Sequence, residues 1–334
     1  MMRIAINGFG RIGRSIYRII SSRTNHEIVA INDLSEAQSL RYLLKYDTVM
    51  GRFNGDVEIE QDFLLSPNQK VKILREPDPA KLPWSENEVD IVIESTGIFR
   101  TKEQIQKHID SGAKKVILTV PSKDEIDYTV VLGVNENGIN SNHNIISNAS
   151  CTTNCLAPMA KIINDNFGIV KGVMNTIHAY TNDQRLADVP HKDLRRSRAA
   201  AENIIPTSTG AAKAVGKVLP ELEGKLDGIA CRVPVPDGSA VDLFVELEKS
   251  IDINSLNELV KNQSEKENLK NILEYSESPI VSSDIIGNSK SSIYDSSASH
   301  VIDGKYLRTL NWYDNEWGYS NRVVDLVNLL SKFI

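Results

Sequence analysis

The sequence predicts an α/β chain in two parts. An open, doubly wound parallel sheet is expected over residues 1–150, and an α+β part with a mixed or antiparallel sheet over 151–315. Three observations predict this. Short apolar strand patterns alternate with helical patterns in the first half, as a parallel sheet requires. The run Gly8-x-Gly10-x-x-Gly13 lies between a strand pattern and a helical one. Beyond residue 170 strand-like runs dominate. A chain of 334 residues suffices for two domains of ordinary size. The C-terminal helix, 316–334, is expected to complete the first part.

Residues 3–7 read as a strand, followed by the glycine run and a helix with Ile12, Ile16, Ile19 and Ile20 on one face. A second strand, Ile28–Asn32, ends at Asp33, 20 residues beyond Gly13. Strand, glycines, helix, strand and acid in this order predict a dinucleotide-binding (Rossmann) unit. The first glycine permits the tight turn, the second lets the backbone approach a pyrophosphate, and the third lets helix and strand pack closely. The helix N-terminus then faces the phosphates. A carboxylate at Asp33 accepts from ribose hydroxyls and repels a 2′-phosphate, which favours NAD over NADP. A glycine-rich turn without ligand is the other reading of this stretch.

Strands are predicted at Val71–Leu74, Asp90–Glu94 and Lys115–Val120, and a crossover helix at Lys102–Ile109. Asp90–Glu94 is almost continuously apolar, as a strand covered on both faces should be. Asn144–Asn148 reads as a strand leading to Cys151. Leu156, Met159, Ala160, Ile163 and Phe167 then mark one face of a helix that stops at Gly168. Later strands are expected at Val170–His178, Gly228–Val235 and Ser239–Leu247. Helix is expected in two pieces over Ala199–Val218, over Asn254–Tyr275, and as an amphipathic helix over Asn321–Ile334. Ser282–Ser299 reads as ordered loop and strand, since Ile285, Ile286, Ile293 and Tyr294 interrupt its serines.

The formal net charge of -6 argues against a general nucleic-acid binder. No apolar run approaches the roughly 18 residues of a membrane span. The first residues enter a strand pattern without a signal-peptide core. Three cysteines are no disulfide framework, and Cys151 and Cys155, four apart, are neither a redox pair nor a zinc pair with partners. A reducing cytoplasm is the expected location, with no metal.

Cys151 is the first candidate for chemistry. A helix N-terminus favours negative charge and lowers the pKa of a nearby thiol. A depression of about two units makes most of the thiol nucleophilic at pH 7. A buried, inert cysteine is the commoner occupant of such a helix. His178 ends an apolar strand, where it is either a hydrogen-bonded structural residue or the proton acceptor for a thiol. Arg232 is a charge inside an apolar strand and needs a partner, either an acidic side chain or an anionic ligand. Thr209-Gly210 is a helix cap or an anion cradle. The charged stretch Asn182–Ala201 is a solvated loop, an anion site or a subunit contact.

Ala149-Ser150-Cys151-Thr152-Thr153-Asn154-Cys155-Leu156-Ala157-Pro158 resembles the active-site signature of the phosphorylating glyceraldehyde-3-phosphate dehydrogenases. The resemblance runs the whole length, through Ile6–Arg14, His178–Gln184, Asp193–Arg196, Ser208–Lys213 and Trp312–Ser320. It implies Cys151 as nucleophile and His178 as its activating base. Arg11, Ile12, Asp33, Ser95, Thr96 and Thr119 would hold NAD, with Arg75 near the adenine. Asn315 would fix the nicotinamide amide, with Tyr319 nearby. Thr181 and Arg232 would hold the substrate's phosphate. Ser150, Thr152, Thr209 and Gly210 would line the site of the incoming phosphate, with Arg196 behind. Pro190, with Asp33, resembles the NAD-using branch. Thr119 departs from the serine of many members but keeps the hydroxyl.

The resemblance further implies a cytoplasmic homotetramer in which Asn182–Ala201 packs between subunits, with no membrane or specific nucleic-acid partner. The implied reaction converts glyceraldehyde 3-phosphate, inorganic phosphate and NAD to 1,3-bisphosphoglycerate through a thioester on Cys151. Two alternatives stand beside it. Erythrose-4-phosphate dehydrogenase shares the Cys and His, and Thr209-Gly210 favours the glyceraldehyde enzyme. A non-catalytic binding role has only the basic loop in its favour.

Overall fold

In the computed structural model, which describes all 334 residues, the chain forms two units. The first comprises residues 1–130, 137–150 and 320–334, and the second 131–136 and 151–319.

The first unit is built on β1 (Arg3–Asn7), α1 (Arg11–Arg23) and β2 (Glu27–Asn32). Ile4, Ala5 and Ile6 of β1 are all sealed, so the strand is covered on both faces. α2 (Ala37–Lys45), β3 (Glu58–Glu60), β4 (Phe63–Ser66) and β5 (Gln69–Leu74) follow. Then come β6 (Ile91–Glu94), α3 (Lys102–Asp110), β7 (Lys115–Leu118), β8 (Tyr128–Thr129) and β9 (Ile145–Ser147). The nine strands run in the order β3-β4-β5-β2-β1-β6-β7-β9-β8. All pair in parallel except β3 with β4 and β4 with β5. The chain's order reverses at β1, between β2 and β6, and such a sheet binds ligands at the carboxyl ends beside that reversal. Val29, Val92, Val116 and Ile145 pack with Trp84, Val89 and Ile105 into one core. α3 starts on a capping box in which Thr101 and Gln104 each bond the other's backbone N–H.

The second unit opens with α4 (Cys151–Phe167). It continues through β10 (Ile169–Ala179), β11 (Ile205–Ser208), α5 (Ala211–Val218), β12 (Leu226–Val233), β13 (Ser239–Leu247), α6 (Ile253–Ser264), β14 (Leu273–Ser276), β15 (Ser292–Ile302) and β16 (Tyr306–Tyr313). α7 (Trp317–Leu330) ends the chain's regular structure and runs on into residues assigned to the first unit. The seven strands lie in the order β11-β12-β10-β13-β16-β15-β14. β10 pairs with β12, and β14 with β15, in parallel, while the other pairs are antiparallel. The sheet is therefore mixed, as expected.

Three expectations need correction. The first piece of the helix expected over Ala199–Val218 does not form; Ile205–Ser208 is a strand instead. β11 lies at the sheet edge, where Pro206 forfeits no ladder bond to a further neighbour. The helix expected over Asn254–Tyr275 stops at Ser264, because Leu273–Ser276 pairs with β15. The terminal helix is not amphipathic: Ser320–Val324, Leu326, Val327 and Leu330 are all buried. Its polar residues find partners, Asn321 and Asp325 on Arg23, and Asn328 on His26 Nε2 at 2.7 Å.

Ser239, opening β13, pairs with Tyr313, closing β16. That pairing brings the flanking Asp237 and Asp314 together, each about 1 % exposed. Asp314 accepts N–H bonds from Gly287, Glu316 and Trp317 at 2.8, 2.8 and 2.5 Å and so caps α7. Asp237 accepts from the amide of Gly238 on Oδ1 at 2.9 Å and is in side-chain contact with Asp314. Burial, then the charges of Asp314 and Glu316, push the Asp237 carboxyl up to about 9. An acid with a higher pKa folded than unfolded holds its proton more tightly in the native state. The native state thus loses stability as pH rises from the ordinary value, 3.8, to about 9. Asp237→Asn keeps the shape and removes the titration. Chemical unfolding at pH 5 and pH 9 should show the variant gaining on the parent at the higher pH by at least about 1.4 kcal/mol, the equivalent of one pKa unit. A constant difference at both pH values would refute the raised pKa.

Candidate active site

In the first unit the candidate cofactor residues gather at the carboxyl edge of the sheet. Gly8 has φ +92°, and a Cβ there would come within 2.6 Å of the amide of Thr96. A Cβ on Gly13 would lie 2.3 Å from the carbonyl of Gly8. A Cβ on Gly10 would meet nothing within 4 Å, and α1 starts there without a side-chain cap. The first and third glycines are thus needed for packing, and the second leaves its surroundings open. A 13-residue helix that starts without a side-chain cap, with open space at Gly10 before it, fits a pyrophosphate.

Asp33 follows β2 and accepts from the amides of Phe9, at 2.8 Å on Oδ2, and Ser35, at 2.9 Å on Oδ1. It therefore ties the glycine turn to the second strand. Arg75 donates to the carbonyl of Leu34 at 2.9 Å and pairs with Glu36 at 2.9 Å. Arg11 and Ile12 open α1, and Arg11 pairs with Asp47. Ser95 Oγ donates to the carbonyl of Gly8 at 2.6 Å. Thr119 bonds the carbonyl of Glu94 through its amide at 3.0 Å and its hydroxyl at 3.1 Å. Ser150 ends this unit, directly after Ala149, whose φ of +51° is left-handed. An L-residue with a Cβ is strained there, and such strain clusters at functional sites.

In the second unit Cys151 is the first residue of α4, and its Sγ lies 3.6 Å from His178 Nε2. His178 and Arg232 are direct neighbours in the parallel register of β10 and β12. Arg232 Nη1 is 2.9 Å from the carbonyl of Ala179 and 2.6 Å from His178 Nδ1. A guanidinium only donates. His178 Nδ1 also lies 2.7 Å from the carbonyl of Ala179, so it stands between a donor and an acceptor: a bare Nδ1 suits Arg232, and a protonated Nδ1 suits the carbonyl and leaves Nε2 bare towards the sulfur. Arg232 Nε is buried and has no partner within the chain.

The depressed thiol pKa expected of the helix start is not found. Burial pushes the Cys151 thiol up, and Arg232 and hydrogen bonds from Thr152 only partly oppose it. Burial, then Arg232, push His178 down to about 3. Without ligand the pair is a neutral thiol beside a neutral imidazole. Desolvation outweighs the Arg232 charge and the hydrogen bonds that Thr152 offers at the helix start.

Thr152 and Thr176 bond the hydroxyl of Tyr313 at 2.9 and 2.8 Å, and the Tyr313 ring stands edge-on to His178. Tyr313 was not among the expected site residues, although it lies within the Trp312–Ser320 run. Cys155 is buried against Ser292 and the carbonyl of Asn311, and burial pushes its thiol up. Thr181 follows β10 and takes Gln184 Oε1 on its amide at 3.3 Å. Thr209 caps the amide of Ala211 at 3.2 Å, and Gly210 starts α5. Arg196 is committed to Asp183, Thr207 Oγ1 at 3.0 Å and the carbonyl of Ser208 at 3.3 Å, so it braces the segment before Thr209. Asn315 is buried, with Oδ1 accepting from Ser239 Oγ at 2.6 Å, and Tyr319 is buried nearby in sequence. The structure thus brings Cys151, Thr152, His178 and Arg232 into one cluster and places Thr209-Gly210 at the end of β11, which pairs with β12.

The chain was compared with known protein families and curated proteins. Residues 2–102 match the NAD binding domain of glyceraldehyde 3-phosphate dehydrogenase, and residues 150–315 match its C-terminal domain. A glyceraldehyde-3-phosphate dehydrogenase of Streptomyces coelicolor is 57% identical over 327 residues, 97% of each chain. One of Mycolicibacterium smegmatis is 54% identical over 339 residues, 99% of each chain. One of Geobacillus stearothermophilus is 53% identical over 332 residues, 99% of this chain and 98% of its own. With both halves matched and the relatives aligned almost end to end, this NAD-dependent oxidoreductase belongs to the glyceraldehyde-3-phosphate dehydrogenase family.

Proposed function

We propose that the protein oxidises glyceraldehyde 3-phosphate with NAD and inorganic phosphate to 1,3-bisphosphoglycerate, through a thioester on Cys151. The observation that carries this reading is the cluster of Cys151, His178 and a half-buried Arg232 whose buried Nε lacks a partner. A cation with a buried, unused donor calls for an anion. The substrate's phosphate supplies one, with Thr181 as second contact.

NAD, held by Arg11, Ile12, Asp33, Ser95, Thr96 and Thr119 with Arg75 at the adenine end and Asn315 and Tyr319 at the nicotinamide, supplies a two-electron acceptor for hydride. The remaining steps fall to side chains. The sulfur of Cys151 adds to the aldehyde carbon, and the thiol proton passes to the aldehyde oxygen to give the hemithioacetal hydroxyl. When the substrate phosphate draws on Arg232, the tautomer of His178 with its proton on Nδ1 is favoured, donating to the carbonyl of Ala179, 2.7 Å away, and leaving Nε2 bare. Nε2 then accepts the hemithioacetal hydroxyl proton as the carbon loses hydride. The amide of Cys151 donates to the developing oxyanion. Inorganic phosphate, in the site lined by Ser150, Thr152, Thr209 and Gly210 with Arg196 behind, attacks the thioester and releases the thiol. In domain terms, residues 1–150 with 316–334 bind NAD, and 151–315 carry the chemistry.

The direct test is NADH formation from glyceraldehyde 3-phosphate and from erythrose 4-phosphate, with and without phosphate. Preference for the four-carbon aldehyde would overturn the substrate. Cys151→Ser should abolish the reaction and Cys155→Ser should not. His178→Asn should slow hydride transfer roughly 10²–10⁴-fold, the range of a general base, and move the pH dependence of Cys151 alkylation upward. Preferential alkylation of Cys231 with parallel loss of activity would sink the first assignment, and an unmoved profile the second.

For the cofactor, repulsion between Asp33 and a 2′-phosphate at about 4 Å is on the order of 1 kcal/mol in water and several at reduced dielectric. A preference for NAD of about 10²-fold, roughly 2.7 kcal/mol, is therefore expected in kcat/KM. Asp33→Ala should weaken NAD and narrow the gap without making NADP a good substrate. Equal use of both by the parent would show that Asp33 does not face the ribose.

The proposed assembly is a homotetramer of the cytoplasm. Val173, Ile177, Ile229, Phe244, Ile302 and Tyr306, all on strands of the second unit, are 37 to 59 % exposed. Leu186 and Leu194 in the 182–201 loop are 87 and 82 % exposed. Exposed apolar patches of this kind mark protein contacts. Sedimentation should give a tetramer, and Phe244→Asp a smaller species; an unchanged mass in the variant would remove this sheet face from the interface.

A further inference from the structure

Three neighbouring strands of the first unit end in polar side chains sealed from water. Asn7 ends β1, Asn32 ends β2 and Glu94 ends β6, at 1, 5 and 0 % exposure. β1 lies between the other two, and Asn7 is in register with both Asn32 and Glu94. Nothing in the proposed reaction uses these three, nor His108 on α3, which is also fully buried.

Their hydrogen bonds form one directed chain. The indole Nε1 of Trp84 donates to His108 Nδ1 at 2.9 Å. An indole N–H cannot accept, so Nδ1 is bare and the ring proton lies on Nε2. Nε2 is 3.1 Å from Glu94 Oε2 and donates to it. From the other side, the amide of Glu76 donates to Asn32 Oδ1 at 2.8 Å, which turns Asn32 Nδ2 to Asn7 Oδ1 at 2.7 Å. Asn7 Nδ2 is thereby turned to Glu94 Oε2, at 2.5 Å. Thr96 delivers its amide, at 2.9 Å, and its hydroxyl to Oε1. Both ends of the chain converge on one carboxylate, which accepts from four donors.

What this carboxylate holds is the floor of the cofactor edge. Thr96 is fastened to it. The backbone of Thr96 and Ser95 is in turn packed so closely on Gly8 that a Cβ there would fall within 2.6 and 2.8 Å of it. Ser95 Oγ locks the same carbonyl of Gly8. Asn32 precedes Asp33, which holds the amide of Phe9. A shift of Glu94 therefore displaces the Ser95–Thr96 turn, and that turn has no free space before it meets the glycine turn.

We propose that Glu94 and His108, anchored by Trp84, are positioning residues for dinucleotide binding. They fix the spacing between the glycine turn after β1 and the Ser95–Thr96 turn after β6. The proposal rests on the reading of this edge as the NAD site.

The test compares Glu94→Gln, His108→Leu and His108→Gln with the parent. Glu94→Gln turns an NH₂ against at least one group that only donates, whichever way it faces: the Thr96 amide on one side, His108 Nε2–H and Asn7 Nδ2 on the other. His108→Leu removes the donor, and His108→Gln restores an N–H near the place of Nε2. Calorimetric titration with NAD should show a Kd raised about tenfold or more in Glu94→Gln and His108→Leu, as expected when a buried polar group loses its partner. His108→Gln should recover most of the affinity. At saturating NAD, kcat, the KM for the aldehyde and the rate of Cys151 alkylation should stay within about twofold of the parent. If Glu94→Gln does not fold, the contrast between His108→Leu and His108→Gln carries the test. A folded His108→Leu with the parent's NAD affinity would overturn the proposal. So would equal loss of NAD affinity, aldehyde KM and alkylation rate, which marks a merely structural role. A parent chain that binds no NAD would overturn the reading of the edge, and the proposal with it.

Discussion

A half-buried guanidinium set against an imidazole is the constraint on which the second unit depends. Two parallel strands set Arg232 and His178 side by side, and the only way to seat a cation there is to give its protons to acceptors. Two of them go to His178 and to the Ala179 carbonyl. Nδ1 of His178 stands between this donor and the carbonyl of Ala179, so what Arg232 binds biases which ring nitrogen carries the proton. Of the three donors that remain, Nε is buried without a partner, and it makes the site incomplete without an anion. Tyr313 and Thr152 pack against this arrangement, and burial holds the thiol's pKa up and the imidazole's down.

Much of the first unit could be read along the chain because its logic is local. The glycine run, α1 and Asp33 follow one another within a stretch whose spacing is itself the signal. α4 could be placed for the same reason, from a strand, a short turn and an apolar period. The failures are tertiary. Pro206 reads as a helix breaker, and only the sheet edge shows that its surroundings are a strand. Leu273–Ser276 extends a helical pattern until β15 claims it. α2 went unread because only Leu40 and Leu44 of its nine residues are buried, too few to leave a period.

The candidate site divides in the same way. Cys151, His178 and Arg232 each stand out as residues, but the contact between the last two spans 54 positions and exists only through strand register. The direction of the thiol's shift was misread because a helix end is visible in sequence and burial is not. Asp237 and Asp314 were overlooked for a related reason. Each is an ordinary acid beside a strand, and their conflict arises only when Ser239 meets Tyr313.

The sealed chain beneath the first unit's edge also keeps time. The protons on Trp84 Nε1 and His108 Nε2 are held inside residues with no measurable exposure. Neither can trade with solvent deuterium until the surrounding core parts. Their exchange rates are therefore set by how often this unit opens. Two side-chain resonances thus act as a clock for one half of the molecule, with the backbone amides of β1 and β6 beside them as a second reading of the same event.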